Sequence, residues 1–170
     1  MAGIDSRIVI VGHPQVAASL RADPIAAIRR ARREFASEDT VVLFTAHSLP
    51  ERIVGEGDPY PVQLEESAHA IASAAGTPRW GFAWQSAGSR GRWLGPSVLE
   101  KLKDLATQGA KAVLTAPIGF TSDHLEILYD LDVEARTRAE ELGLRWARVP
   151  SLNASAAFVS TLAAIVRDAA

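Results

Sequence analysis

Short apolar runs alternate along this chain with longer stretches in which apolar residues recur every three or four positions. The short runs are residues 8–11, 41–46, 80–84, 112–116 and 144–149, each of a length suited to a buried strand. Between them, Leu64, Ala68, Ile71, Ala72 and Ala75 mark one helix face, and Val98, Leu102, Leu105 and Ala106 mark another. Ile25, Ile28, the stem of Arg32 and Phe35 do the same earlier, with Asp23-Pro24 predicting an N-cap and a first-turn proline. Phe158, Leu162, Ile165 and Val166 predict the core face of a closing helix. Pro96 predicts a helix start, and Gly109 and Gly143 predict stops; residues 55–61, rich in glycine and proline, predict a loop. Strand and helix in strict alternation imply one domain over residues 1–170, a three-layer α/β/α fold with a mainly parallel sheet.

Two polar clusters follow apolar runs. His47-Ser48-Leu49-Pro50 follows the strand at 41–46, and Ser122-Asp123-His124-Leu125-Glu126 follows the strand at 112–116 through Pro117-Ile118-Gly119-Phe120. Carboxyl ends of parallel strands form the ligand crevice of such a sheet, so an imidazole and carboxylates can face one cleft. Glu126, Asp130 and Glu134 are spaced by four. On an α-helix each such step drifts only about 40°, so the row is nearly axial and spans about 12 Å. Like charges at this spacing repel by a few tenths of a kcal/mol per pair. Asp132 adds charge nearby, which Arg136 and Arg138 offset in part. Imidazole and carboxylates together suit proton transfer and divalent metal binding.

Composition narrows the classes. The 170 residues carry a formal charge of −2, which gives no reason to expect nucleic acid or an anionic membrane as partner. With no cysteine, disulfides, thiolate zinc sites and cysteine-ligated iron–sulfur clusters are excluded. No apolar run approaches the roughly 20 residues that cross a bilayer, and no signal peptide is visible, so a cytoplasmic protein is expected.

Several motifs resemble one family. Thr45-Ala46-His47-Ser48-Leu49-Pro50 with Gly57-Asp58-Pro59-Tyr60-Pro61-Val62-Gln63-Leu64, Trp84-Gln85-Ser86, Trp93-Leu94-Gly95-Pro96, and the run from Pro117 through His124-Leu125-Glu126 to Asp130 are similar to the ferrochelatase pattern, in its order. The Trp-Gln-Ser and Trp-Leu-Gly-Pro forms resemble the coproporphyrin-type enzymes more than membrane-associated ones. The similarity is clear from about Val41 onward and covers the family's second half, a single chelatase-like half-domain. The resemblance implies a lyase that inserts Fe2+ into coproporphyrin III or protoporphyrin IX in haem biosynthesis. It implies His47 as the active-site histidine and Glu126 as its partner, with both holding metal. Asp130 and Glu134 would form an outer acidic ridge of the metal route, and Trp93, Ser48, Gln85 and Ser86 would bind substrate. Fe2+ enters as substrate, and no permanently bound cofactor is implied. The family's first half has no counterpart here, so a homodimer or a separate N-terminal half is expected, with an exposed apolar patch near Trp93 and the loop after His47.

Blander readings stand beside these. Asp123-x-x-Glu126 fits a capping box, which would leave Glu126 satisfying a helix end. His124 suits local structure as well as metal, and His13 and His69 read as incidental. Gly57-Asp58-Pro59 and Gly88-Ser89-Arg90-Gly91 lack phosphate-loop spacing and read as turns. Two further functions remain open: a non-catalytic porphyrin- or metal-binding half-domain, and a short cobaltochelatase-like homodimer.

Overall fold

In the computed structural model, residues 14–35 and 39–168 are described. The strand expected at 8–11, Gly12 and His13 lie outside them. Helix α1 (Pro14–Phe35) leads into strand β1 (Thr40–His47), the helical turn α2 (Arg52–Gly55) and helix α3 (Tyr60–Ala75). Strand β2 (Trp80–Gln85), helix α4 (Val98–Thr107) and strand β3 (Ala112–Ala116) follow. Next comes one continuous helical rod: α5 (Leu125–Tyr129), a π turn (Asp130–Ala135) and α6 (Arg136–Glu141). Strand β4 (Arg145–Arg148) and helix α7 (Ala156–Asp168) end the described chain.

The four strands are ordered β2-β1-β3-β4 and every pairing is parallel. Alternation along β1 divides the core. Val41 and Leu43 face α4 and the helical rod, whereas Val42 and Phe44 face α1 and α3. Helices thus cover both faces, giving the three-layer α/β/α architecture. His47 continues the odd-numbered row, so its side chain emerges toward the rod. Connections from β1 and from β3 leave toward opposite faces although the two strands are neighbours. A switch of this kind opens a crevice at the strands' carboxyl ends.

Several boundaries differ from the sequence expectation. Pro24 lies inside α1, which begins ten residues earlier, at Pro14. Good helix formers upstream, among them Ala17, Ala18, Leu20 and Ala22, carry the helix through the one hydrogen bond that a proline removes. Pro96 does not start α4: it follows a cis peptide, and Ser97 caps the helix through a capping box with Glu100. Part of the loop expected at 55–61 is helical, since α2 ends at Gly55 and α3 begins at Tyr60. On α7, Val166 is 69% exposed and Leu162 is also exposed, so the core face does not run through them; Thr161 is buried instead. The side chain of Ile165 lies outside the described set. The faces expected of α3 and α4 are buried as the spacing predicts, with Ala106 partly so.

Arg32 Nη1 donates to Gly76 O (2.8 Å) and Arg29 donates to Ala74 O, so α1 satisfies the carbonyls that α3 leaves unpaired at its C-terminal end. At the opposite end of the sheet, Gly119 lies hard against β1. Its amide donates to Thr45 O (3.1 Å), and a Cβ there would stand 2.4 Å from Ala46 Cβ. Ala46 is fully buried and cannot retreat. Gly119→Ala is therefore expected to destabilise the fold by about 1–3 kcal/mol through overpacking. Urea melts of the two proteins check this, and an unchanged midpoint would refute the close approach.

Candidate functional site

Each side chain of the site inherits its place from a strand end. His47 is the last residue of β1, and Gln85, its register partner, is the last of β2. His47 Nδ1 lies against Ser48 O. A carbonyl can only accept, so Nδ1 carries the hydrogen, and whenever the ring is neutral Nε2 presents a lone pair. That lone pair faces Glu126 Oε2 at 3.5 Å. Two electron-pair donors at this separation repel unless a proton or metal cation lies between them. Phe120 and Tyr60 set the ring from behind. The Phe120 ring centroid lies 6.3 Å from that of His47, and Tyr60 Oη donates to His47 O (3.0 Å). Burial, aided by Asp58, pushes the Tyr60 phenol up to about 12, so it remains a donor throughout the neutral range.

The carboxylates spread along the rod. Glu126 lies in the first turn of α5, half-exposed beside His47. Asp130 opens the π turn and accepts from Ser86 Oγ at the end of β2. Glu134 is exposed further along. Among the described residues no three His, Asp or Glu side chains converge as a closed metal cluster, so the row is a series of separate oxygen positions. The capping box expected at Asp123 is not formed. His124 occupies the cap position with no side-chain cap, its ring 5.2 Å from that of Phe120. Glu126 is therefore free of a capping role, and Asp132 is not part of the open row, because Arg148 holds it.

The π turn has a packing reason. Ile127, Leu131, Ala135 and Ala139 all face the core with no exposed surface. On a plain α-helix four residues in steps of four would drift about 40° per step and leave the sheet. A wider i→i+5 turn reverses part of that drift, keeping the apolar row inward while Glu126 reaches His47 and Asp130 reaches Ser86. The sequence spacing alone, read as α throughout, did not contain this turn.

The remaining residues line or support the cleft. Ser48 is fully buried; its hydroxyl donates to Leu94 O (2.8 Å) and its amide to Gln85 O (2.7 Å). It supports the wall from behind. Leu94 N also donates to Leu49 O and Glu51 N to Arg92 O, both at 2.9 Å, so the segment after His47 is strapped to the Trp93 segment. Trp93 is half-buried, gives Nε1–H to Arg90 O (2.7 Å) and rests on Gly88, where a Cβ would lie 2.4 Å from the ring. Gln85 is buried with neither amide atom partnered by protein. Ser86 takes a left-handed backbone, φ 59°, which aims its hydroxyl at Asp130. His69 is exposed on α3 with its ring 6.1 Å from that of Trp80, away from these groups. Apolar side chains stand exposed on α2 and α3, Val54 and Val62, and on the helical rod, Leu125, Leu128, Tyr129 and Val133, with Leu125 80% exposed. Tyr60, Phe120 and Arg148 had no assigned role in the sequence. Tyr60 and Phe120 lay inside quoted motifs, while Arg148 carried no local signal.

Among the described residues no helix is long and apolar enough to cross a membrane. The family model for ferrochelatase matches residues 15–170. A ferrochelatase of Herpetosiphon aurantiacus is 50% identical over 130 residues, 76% of this chain and 43% of that protein. A ferrochelatase of Deinococcus radiodurans is 48% identical over 132 residues, 76% of this chain and 42% of that protein. A coproporphyrin III ferrochelatase of Geobacillus thermodenitrificans is 42% identical over 146 residues, covering 85% of this chain and 46% of that protein. The chain spans a little under half the length of these curated relatives.

Asp123 gives the site a pH signature. Burial opposes its charge, but the hydrogen bond from Asn153 and the Arg148 guanidinium outweigh that and hold the carboxyl below the usual aspartate range. A depressed folded pKa contributes stability that is complete above the unfolded value, about 3.9, and is lost as pH falls through the folded value. Urea midpoints taken downward from about pH 5 should fall more steeply for the wild type than for Asp123→Asn. Equal slopes would show that the contacts of Asp123 do not favour its ionised form.

Proposed function

This chain belongs to the ferrochelatase family, and on that premise we propose that its crevice inserts Fe2+ into a porphyrin. The observation that carries the reading is His47 Nε2 facing Glu126 Oε2 across 3.5 Å. Metallation requires hydrated Fe2+ to shed water and two pyrrole nitrogens to shed protons. Neutral imidazole can take one such proton at physiological pH, and a half-exposed carboxylate can take the other or hold the incoming cation. Asp130 and Glu134 extend oxygen ligands outward from Glu126, a gradient suited to a divalent ion that arrives hydrated and loses its waters stepwise. Fe2+ and porphyrin are the substrates.

The exposed apolar side chains of α2, α3 and the rod suit a broad, flat, apolar ring, with Trp93, Gln85 and Ser86 at the same end of the sheet as His47. Good ligand sites bury most of their ligand. One α/β layer offers a single wall, so we assign the opposite wall to a second copy or to an N-terminal half-domain. The Geobacillus relative favours coproporphyrin III as the ring, with protoporphyrin IX the alternative. The reaction is placed in the cytoplasm, as one step of haem biosynthesis.

Purified protein is to be incubated with Fe2+ and coproporphyrin III under anaerobic conditions, and metallation followed by absorbance. Multiple turnovers are expected. At most one equivalent would instead mark a carrier domain, and a preference for Co2+ on a less oxidised tetrapyrrole would mark a cobaltochelatase-like enzyme. His47→Ala should keep its urea midpoint, since a half-buried crevice residue packs little core, while losing at least about 100-fold in turnover. Glu126→Gln should lose activity with the fold intact. Wild-type turnover by folded His47→Ala would overturn the assignment. Light scattering in the same assay is expected to find a dimer or a dependence of rate on protein concentration; a strictly monomeric, concentration-independent enzyme would show that one wall is enough.

A further inference from the structure

One guanidinium grips the carboxylate rod at two points. Arg148 is the last residue of β4, with its side chain only 12% exposed. Its Nε and Nη2 donate to the two oxygens of Asp132, each at 2.8 Å, in a bidentate fork. Its Nη1 donates to Asp123 Oδ1, again at 2.8 Å. Asp123 is fixed in turn: its amide donates to Asn153 Oδ1 (2.8 Å), and Asn153 Nδ2 donates back to Asp123 Oδ2 (3.0 Å). Asn153 also donates its amide to Thr121 O, at 2.8 Å. The fork therefore brackets the stretch from the turn before α5 to the middle of the π turn. Glu126 and Asp130 lie inside the bracket.

The pattern is more than surface charge pairing. A partly buried ion pair is weak evidence for stability, because desolvation of both partners consumes much of the attraction. A planar fork does fix geometry, since it accepts Asp132 at one angle and one distance. Asp132 sits in the π turn, the one segment of the rod whose winding departs from the α repeat. If that turn rewound to α, residues upstream would rotate relative to those downstream, and Glu126 would leave its position opposite His47. We infer that Arg148 is a positioning residue that holds the π turn in register, and so sets where Glu126 and Asp130 face the cleft. The inference rests on the reading of His47 and Glu126 as the metal-insertion pair. Its conformational half stands on the fork alone. The fork also explains why Asp132, though flanked by two members of the acidic row, stays out of it.

The test compares wild type, Arg148→Lys, Arg148→Ala, Asp132→Asn and Glu126→Gln. Amide hydrogen exchange over residues 125–135 reads the rod. Calorimetry with Co2+ reads metal binding, and porphyrin fluorescence quenching reads the ring site. Arg148→Ala is expected to speed exchange in that stretch and to weaken Co2+ by about tenfold or more, as loss of a partner behind a metal ligand commonly does, while porphyrin affinity is unchanged. Arg148→Lys, which keeps the charge but not the fork, should fall between. A general loss of structure would weaken both ligands together, so the split separates positioning from folding. If Arg148→Ala does not fold, Asp132→Asn, which keeps size and one neutral bond, carries the comparison. Unaltered exchange over 125–135 in a folded variant overturns the clamp, and unaltered Co2+ affinity overturns its role at the site. If Glu126→Gln also leaves Co2+ binding untouched, the metal reading of the pair fails, and the exchange data still decide the clamp.

Discussion

Everything at the carboxyl end of this sheet is organised around two facing acceptors. The backbone carbonyl of Ser48 commits one nitrogen of His47, and the other faces Glu126 across 3.5 Å. Such a pair is uncomfortable when empty and favourable when a proton or a divalent cation lies between, which is the condition a metal-inserting site must meet at successive moments. Keeping it requires that neither partner turn away. Tyr60 holds the histidine backbone, Phe120 lies against its ring, and Gly119 brings the following turn into contact with β1. On the other side, Ile127, directly after Glu126, anchors α5 in the core.

The rod that carries Glu126 meets two demands that a uniform α-helix cannot meet together. Its apolar row must stay over the sheet for three successive steps of four residues, and Glu126 and Asp130 must stay in reach of His47 and Ser86. Local widening into a π turn satisfies both. That winding is uncommon, and a fork from the neighbouring strand grips the turn at Asp132. Packing, winding and electrostatics thus converge on the azimuth of a single helix, and that azimuth sets the distance between His47 and its partner.

Much of this was legible in the chain. Apolar runs and 3.6-residue spacing located every described strand and the buried faces of α3 and α4, because burial against a sheet selects side chains position by position. An imidazole and carboxylates facing one cleft were legible because both clusters come at buried strands that end on the same side; the choice of Glu126 as the partner of His47 came from the resemblance of the surrounding motifs. What failed was of another kind. Pro24 read as a boundary, but the helix formers before it outweighed one lost hydrogen bond. Val166 read as core, yet the helix presents another face to the fold. The capping box at Asp123 and Glu126 was plausible locally and was overridden by Arg148 and Asn153, partners distant in sequence. The π turn has no composition of its own; it arises from the whole row's fit to the sheet. Nonlocal geometry decided each of these, and a sequence pattern does not hold it.

The chain spans a little under half the length of the curated relatives it matches. The second wall proposed above would bear on turnover and ring selectivity. The proposed cation position between imidazole and carboxylate involves only residues of this chain, so it can be tested without the rest. Crystals soaked in Co2+ and measured on both sides of its absorption edge address it most directly. An anomalous peak within ligand distance of both His47 Nε2 and Glu126, absent in Glu126→Gln crystals, is the expected result. Metal confined to other surface carboxylates, with the space between His47 and Glu126 empty at saturating ion, would contradict the account.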